Sequence, residues 1–239
     1  MRDIRSHQRV LDTFTGPLER PALRWLAAHM PSWMTPDILT GIGVIGGLVI
    51  LIGYGLTGIS RNFLWLVNLG FVINWVGDSL DGTLARYRHI ERPVYGFYID
   101  HSVDAYVEIM IVLGLGLSPY VRFDLACLGV IGYLLLSVLV YVRTCVKGEF
   151  VISYGKLGPT EVRLIIMAAN TLVFIIGNPT LTLSSLTLTV YDWLVIFILF
   201  IIYSIAILTT VTTARSLARV DLERREKPAD LPAGESVRR

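Results

Sequence analysis

Four aspartates carry the chemistry that this sequence offers: Asp78 and Asp81, then Asp100 and Asp104, set in otherwise apolar sequence. On a helix three residues advance about 300° and four about 400°, so Asp78 and Asp81 share one face, and Asp100 and Asp104 share another. Carboxylates at the edge of a membrane are costly unless they face a polar cavity and have a partner. No run of basic residues is interleaved with them, so divalent cations are the natural partner. Two aspartate pairs facing each other can hold two ions about 3.5 to 4 Å apart, a clamp suited to in-line phosphoryl displacement. Oxygen-only ligands favour Mg²⁺ or Mn²⁺ over zinc.

Small residues accompany the acids. Gly82 and Ala85 follow Asp78 and Asp81 by four residues, and Gly96 precedes Asp100 by four. A face that alternates Asp with Gly or Ala leaves room for a bulky ligand, which describes a cavity with metal at its floor. Glu108 extends the acidic stripe about 12 Å into its helix. It reads either as a protonated structural hydrogen-bonding group or as a member of the site.

The elements that position these residues follow from hydropathy. The chain has 239 residues, 54% of them hydrophobic, and a mean hydropathy of +0.61, too apolar for an ordinary soluble domain and too short for a large transporter. Apolar runs near 38–58, 62–84, 97–118, 124–146, 161–178 and 189–213 are long enough to span a bilayer. The expected fold is an all-α, six-transmembrane-helix bundle, with residues 38–213 as its membrane domain, 1–37 as a juxtamembrane segment and 214–239 as a charged tail. Leu23, Leu26, Ala27 and Met30 fall at helical spacing beside Trp25 and Trp33. They predict an amphipathic helix lying in the headgroup region, or alternatively one packed on the bundle.

Six spans place both termini on one side. Every Lys and Arg except Arg61 and Arg122 falls in segments on that side, so the positive-inside rule puts the termini and the acids in the cytoplasm. No cleavable signal peptide is expected, because the first apolar run begins only near Ile38. Cys127 and Cys145 lie on one predicted helix, roughly 27 Å apart, and cannot bridge each other. The glycines Gly41, Gly43, Gly46, Gly47, Gly53 and Gly55 of the first span predict close helix packing. Arg143, Lys147, Lys156 and Arg163, with Glu161 among them, either form a pocket for an anionic acceptor or merely satisfy the positive-inside rule. The connection from Asn178 to Thr189 is uncharged and carries no further signal.

The run Asp78-x2-Asp81-Gly82-x2-Ala85-Arg86-x9-Gly96-x3-Asp100-x3-Asp104 resembles the complete signature of the CDP-alcohol phosphotransferases. That resemblance implies a six-helix enzyme, often a homodimer, that moves a substituted phosphoryl group from a CDP-linked donor to an acceptor hydroxyl and releases CMP. It implies that Asp78, Asp81, Asp100 and Asp104 hold Mg²⁺ or Mn²⁺, two ions in all, with Asp104 also the general base. Gly82, Ala85, Arg86 and Gly96 would line the CDP pocket. Thr35-Pro36-Asp37-Ile38-Leu39-Thr40 resembles the segment before the family's first span, which adds Thr40 to the CDP contacts.

The expected product is a phospholipid made at a cytoplasmic (inner or plasma) membrane, with the bilayer as partner and no nucleic acid. The expected donor is CDP-diacylglycerol, with an acceptor of the inositol phosphate, glycerol phosphate or serine type. Asp100-His101 and Thr160-Glu161 resemble instead the choline and ethanolamine branch, which uses a CDP-aminoalcohol and diacylglycerol. Two other classes compete: a membrane prenyltransferase, expected to show a different Asn-Asp-rich motif and more spans, and a divalent cation transporter. CMP formation separates both from the leading reading.

Overall fold

A computed structural model describes residues 14–147, 158–183 and 186–226. Lys156, the N-terminal Arg2, Arg5 and Arg9, and the tail beyond Glu226 lie outside the described residues. The order of elements is α1 (Gly16–His29), α2 (Pro36–Leu56), α3 (Phe63–Tyr87), α4 (Pro93–Leu117), α5 (Phe123–Lys147), α6 (Pro159–Ile176), strands β1 (Thr180–Leu183) and β2 (Leu186–Thr189), and α7 (Val190–Glu226).

Five helices, α2, α3, α5, α6 and α7, are long and apolar enough to cross a membrane, which points to an integral membrane protein. The 25-residue α4 is equally long but carries Asp100, Asp104 and Glu108. Burial separates the helices into two groups. Some 39% and 44% of the apolar windows of α2 and α3 are buried, against 11% in α5 and 17% in α6 and α7. The inner pair therefore sets the geometry, and the outer helices turn residues such as Leu135, Val138, Ile175, Phe200 and Leu208 outward.

Local chemistry fixes where the helices begin and end. Thr35 caps α2 by accepting the Ile38 amide at 3.2 Å, and Pro36 occupies the first turn. Helix α4 starts at Pro93 itself, four residues before the apolar run near 97–118, because a proline in the first turn needs no amide partner. Between α3 and α4 the chain turns through His89, at φ 56°. The Ile90 amide reaches the Ala85 carbonyl at 3.0 Å and the His89 amide reaches Arg86, a Schellman closure with a left-handed residue just past the helix end.

The α2–α3 contact has the closeness that the glycines predict. A Cβ on Gly46 would collide with the backbone of Asn74, and one on Gly77 with the backbone of Gly43 and Leu39. Around this seam Ile50, Tyr54, Val67, Phe71, Val107 and Ile111 form the main core. A buried polar cluster ties α6 to it. Asn170 accepts from the hydroxyls of Tyr54 (2.9 Å) and Tyr191 (3.2 Å) and donates to Asn68 (3.1 Å), so α6 is fixed against α2, α3 and α7.

Helix α1 packs its stripe on the bundle. Leu23 and Ala27 are buried against Leu39, Leu80 and Leu84, with Leu26 and Met30 beside them. Leu18, Trp25 and Trp33 stay exposed. Arg88 secures the loop after α1, donating to the carbonyls of Met34 (2.6 Å), Met30 (3.0 Å) and Pro31 (2.8 Å). The guanidinium divides these carbonyls between Nη1 and Nη2, a span that a single ammonium nitrogen does not reproduce. Arg88→Lys is therefore expected to cost about 1 to 2 kcal/mol, read as a lower melting temperature in detergent.

At the far end of the bundle β1 and β2 form an antiparallel hairpin with Thr180 opposite Thr189 and Leu181 opposite Leu188. The alternation of Thr and Leu on both sides is the period-two pattern of a strand, a signal that the lack of charge obscures. Cys127 and Cys145 both lie on α5 as free thiols.

Candidate active site

Asp78 and Asp81 on α3 and Asp100 and Asp104 on α4 meet around a small hollow, joined by Thr40 and Gly43 of α2 and by Asn74. Its volume is about 10 Å³, room for a single water-sized particle or ion. Asp81 is held from two sides: the Thr40 hydroxyl donates to it at 2.7 Å and the Gly82 amide at 2.5 Å. Thr40, which the sequence assigns to the nucleotide, thus touches an acid of the site directly.

Asp78 pairs with Arg163 of α6 at 2.6 Å, and both side chains are largely buried. Among the described residues Arg163 is the cation that pairs with these four carboxylates, so the cluster as described carries excess negative charge. Asp100, His101 and Asp104 bring a ligand atom each to within 4.8 Å of one another, a group that could hold a metal ion. His101 Nδ1 lies 3.2 Å from Asp100 Oδ2. The donor set around the hollow is dominated by carboxylate oxygen, and the hollow has the size of an ion, so the residues present fit a hard divalent cation.

Above the hollow lies an open cavity of about 630 Å³, within the range of small-molecule sites. Thr40, Asp78, Asp81 and Asp100 line both spaces, whereas Asp104 lines only the hollow. Gly82, Ala85, Arg86 and Gly96 all face the cavity. A Cβ on Gly96 would meet nothing within 4 Å, so its bare backbone borders open space. Arg86 bonds Thr83 at 3.2 Å beside Gly82. Asp37 and Arg92 form an ion pair at the rim, where Arg92 also lies 4.2 Å over the Tyr95 ring.

Among the described residues, Arg143, Lys147 and Arg163 do not all gather at the cavity. Arg163 reaches the acids, but Arg143 and Lys147 are not among the cavity's described lining residues, and Lys147 bonds Ser216 of α7 at 3.0 Å. Glu161 lines the cavity with its carboxylate already engaged. It accepts from the Gly158 amide (2.9 Å) and from the amide and hydroxyl of Thr15 (2.8 and 2.9 Å), capping α6 and tying it to α1. Glu108 lines neither space.

The structure adds a wall that the sequence does not foretell. Glu19, Arg20 and Arg24 of α1 line the cavity, and Glu19 accepts from Trp75 Nε1 and from the Thr160 hydroxyl, each at 2.8 Å. The docking of α1, driven by Leu23 and Ala27, is what brings these charges to the site. Asn74 and His101 also join it; the position of Asn74 one turn before Asp78 is a spacing signal that was available in the sequence.

No protein-family model matches the chain. Among curated proteins it is similar to Cholinephosphotransferase 1 of Danio rerio, 29% identical over 60% of this chain and 39% of the relative. The Gallus gallus protein of the same name is 28% identical over 63% of this chain and 46% of its own length, and that of Bos taurus 26% over 64% and 38%. The chain thus spans less than half the length of these relatives. Cholinephosphotransferases are members of the CDP-alcohol phosphotransferases, and it is this family that the chain resembles, in its relatives as in its aspartate motif.

Proposed function

We propose that the protein is a membrane CDP-alcohol phosphotransferase that transfers a substituted phosphoryl group from a CDP-linked donor to an alcohol and releases CMP. The observation that carries this reading is the convergence of Asp78, Asp81, Asp100 and Asp104 on one ion-sized hollow at the floor of a large open cavity. A bound Mg²⁺ or Mn²⁺, one ion or two, would neutralise the diphosphate and the departing CMP. Asp78, Asp81, Asp100 and Asp104 would hold the metal. Gly82, Ala85 and Gly96 admit the nucleotide against the helix backbone, with Arg86 and Thr40 beside it.

Asp104 takes the proton from the acceptor hydroxyl. The hydroxyl oxygen then bonds to the β-phosphorus, and the bond from that phosphorus to CMP breaks with its electron pair leaving on CMP. Asp104 borders the hollow with the other three acids, so a hydroxyl drawn to an ion bound there would come to its carboxylate.

Two donor readings remain. CDP-diacylglycerol with a phosphorylated acceptor draws its support from the basic residues, and the separation of Arg143 and Lys147 from the cavity weakens that support. The relatives' names favour a CDP-aminoalcohol with diacylglycerol at least as well. Purified protein supplied with each donor and acceptor pair, its lipid product identified by mass spectrometry, decides between them. Product only from CDP-choline or CDP-ethanolamine with diacylglycerol establishes the second reading; product only from CDP-diacylglycerol establishes the first.

In this reading α4 is the sixth span, its acids turned to a polar interior rather than to lipid. The positive-inside bias supports a cytoplasmic site with both termini on the same side. The exposed Leu18, Trp25 and Trp33 suit an α1 that lies at the headgroups while its other face packs on the bundle. The family resemblance adds a homodimer. Chelation by EDTA is expected to abolish turnover and Mg²⁺ to restore it, followed as CMP release. Full activity in EDTA would remove the metal from the mechanism.

A further inference from the structure

We infer that the amide oxygen of Asn74 is a neutral ligand of the divalent cation held by Asp78, Asp81, Asp100 and Asp104. The inference rests on the metal site of the proposed function. Asn74 is 2% exposed and lines the hollow together with those aspartates. Its Nδ2 donates to the Gly43 carbonyl at 3.0 Å. A flipped amide would set oxygen against that carbonyl oxygen, so the bond fixes which amide atom is left over.

That atom, Oδ1, is buried, and among the described residues no group donates to it. The other polar side chains lining the hollow are the four carboxylates, which when ionised only accept, and the Thr40 hydroxyl, which donates to Asp81, while the Arg163 guanidinium is engaged with Asp78. A cation shared with these carboxylates would satisfy that oxygen. The backbone at Asn74 has little freedom to move away, because Gly46 of α2 packs directly on it. The spacing agrees as well: Asn74, Asp78 and Asp81 stand at i, i+4 and i+7 on α3, one stripe facing α2 and α4.

The test is Mn²⁺ binding to the full chain in detergent, measured by electron paramagnetic resonance without any substrate, alongside the melting temperature of metal-free protein. Asn74→Leu keeps much of the volume and removes the oxygen. Asn74→Ser keeps a hydroxyl near Gly43 but withdraws the amide oxygen, and it serves should the leucine variant fail to fold. Each is expected to weaken Mn²⁺ binding by about tenfold or more, while Asn74→Asp keeps or tightens it. Wild-type affinity in the serine and leucine variants, with only the metal-free melting temperature lowered, would reduce Asn74 to a tie between α2 and α3 and overturn the inference. No Mn²⁺ binding by the wild type would instead sink the metal site itself, and this inference with it.

Discussion

Asp104→Asn is expected to lower turnover by about 10²- to 10⁴-fold, the range that a positioned general base contributes, while CDP still binds. Asparagine preserves the volume and one oxygen but cannot accept the proton of an alcohol. The position of Asp104 makes the separation of effects feasible. It lines the ion-sized hollow and not the larger cavity that would take the nucleotide, so its amide disturbs the chemistry more than the binding of the donor. Rates are followed as CMP release and affinity as calorimetric titration with CDP in the presence of Mg²⁺. A variant that loses rate and affinity in equal measure would leave Asp104 a metal-holding or structural role alone and put the base elsewhere.

Gly77→Val is expected to destabilise the fold by about 3 kcal/mol and to abolish activity with it. A Cβ at Gly77 runs into the Gly43 backbone and the Leu39 carbonyl, and neither can yield without parting α2 from α3. Asp78 follows Gly77 directly, and Thr40 on α2 holds Asp81, so parting these helices dismantles the hollow. Gly55→Ala is the control on the same helix pair. A Cβ there meets nothing within 4 Å, so it is expected to be neutral or slightly stabilising. Melting temperatures in one detergent compare the two; equal behaviour would show that the glycine seam does not set the α2–α3 distance.

Much of this architecture was legible in the sequence because its signals are local. The apolar runs mark α2 to α7 to within a few residues at most boundaries, and the 3- and 4-residue spacings of the aspartates foretell two helical faces that meet. What the sequence could not supply is the pairing of distant faces. Arg163 appears beside Arg143 and Lys147 as one basic group, yet a helical turn and the Asn170 cluster send it to Asp78 while Lys147 goes to α7. Glu161 reads as part of an acceptor pocket, but its carboxylate is occupied by the α6 cap and by Thr15, 146 residues away in sequence. The same holds for α1. Its apolar stripe is visible, but whether lipid or protein covers that stripe depends on Leu80 and Leu84, which no local pattern connects to it. The hairpin before α7 is a different case, a two-residue alternation too short to stand out between two apolar helices.

The central claim is that the four aspartates work on a CDP-linked diphosphate. Its most direct test is CMP release by the purified protein in detergent with Mg²⁺, with each candidate donor, in the presence and absence of its acceptor. The account predicts CMP that depends on both the acceptor and the metal and that disappears in Asp100→Asn. Absence of CMP across every donor and acceptor pair, from protein that binds Mn²⁺ normally, would contradict it and leave a divalent cation transporter as the reading to pursue.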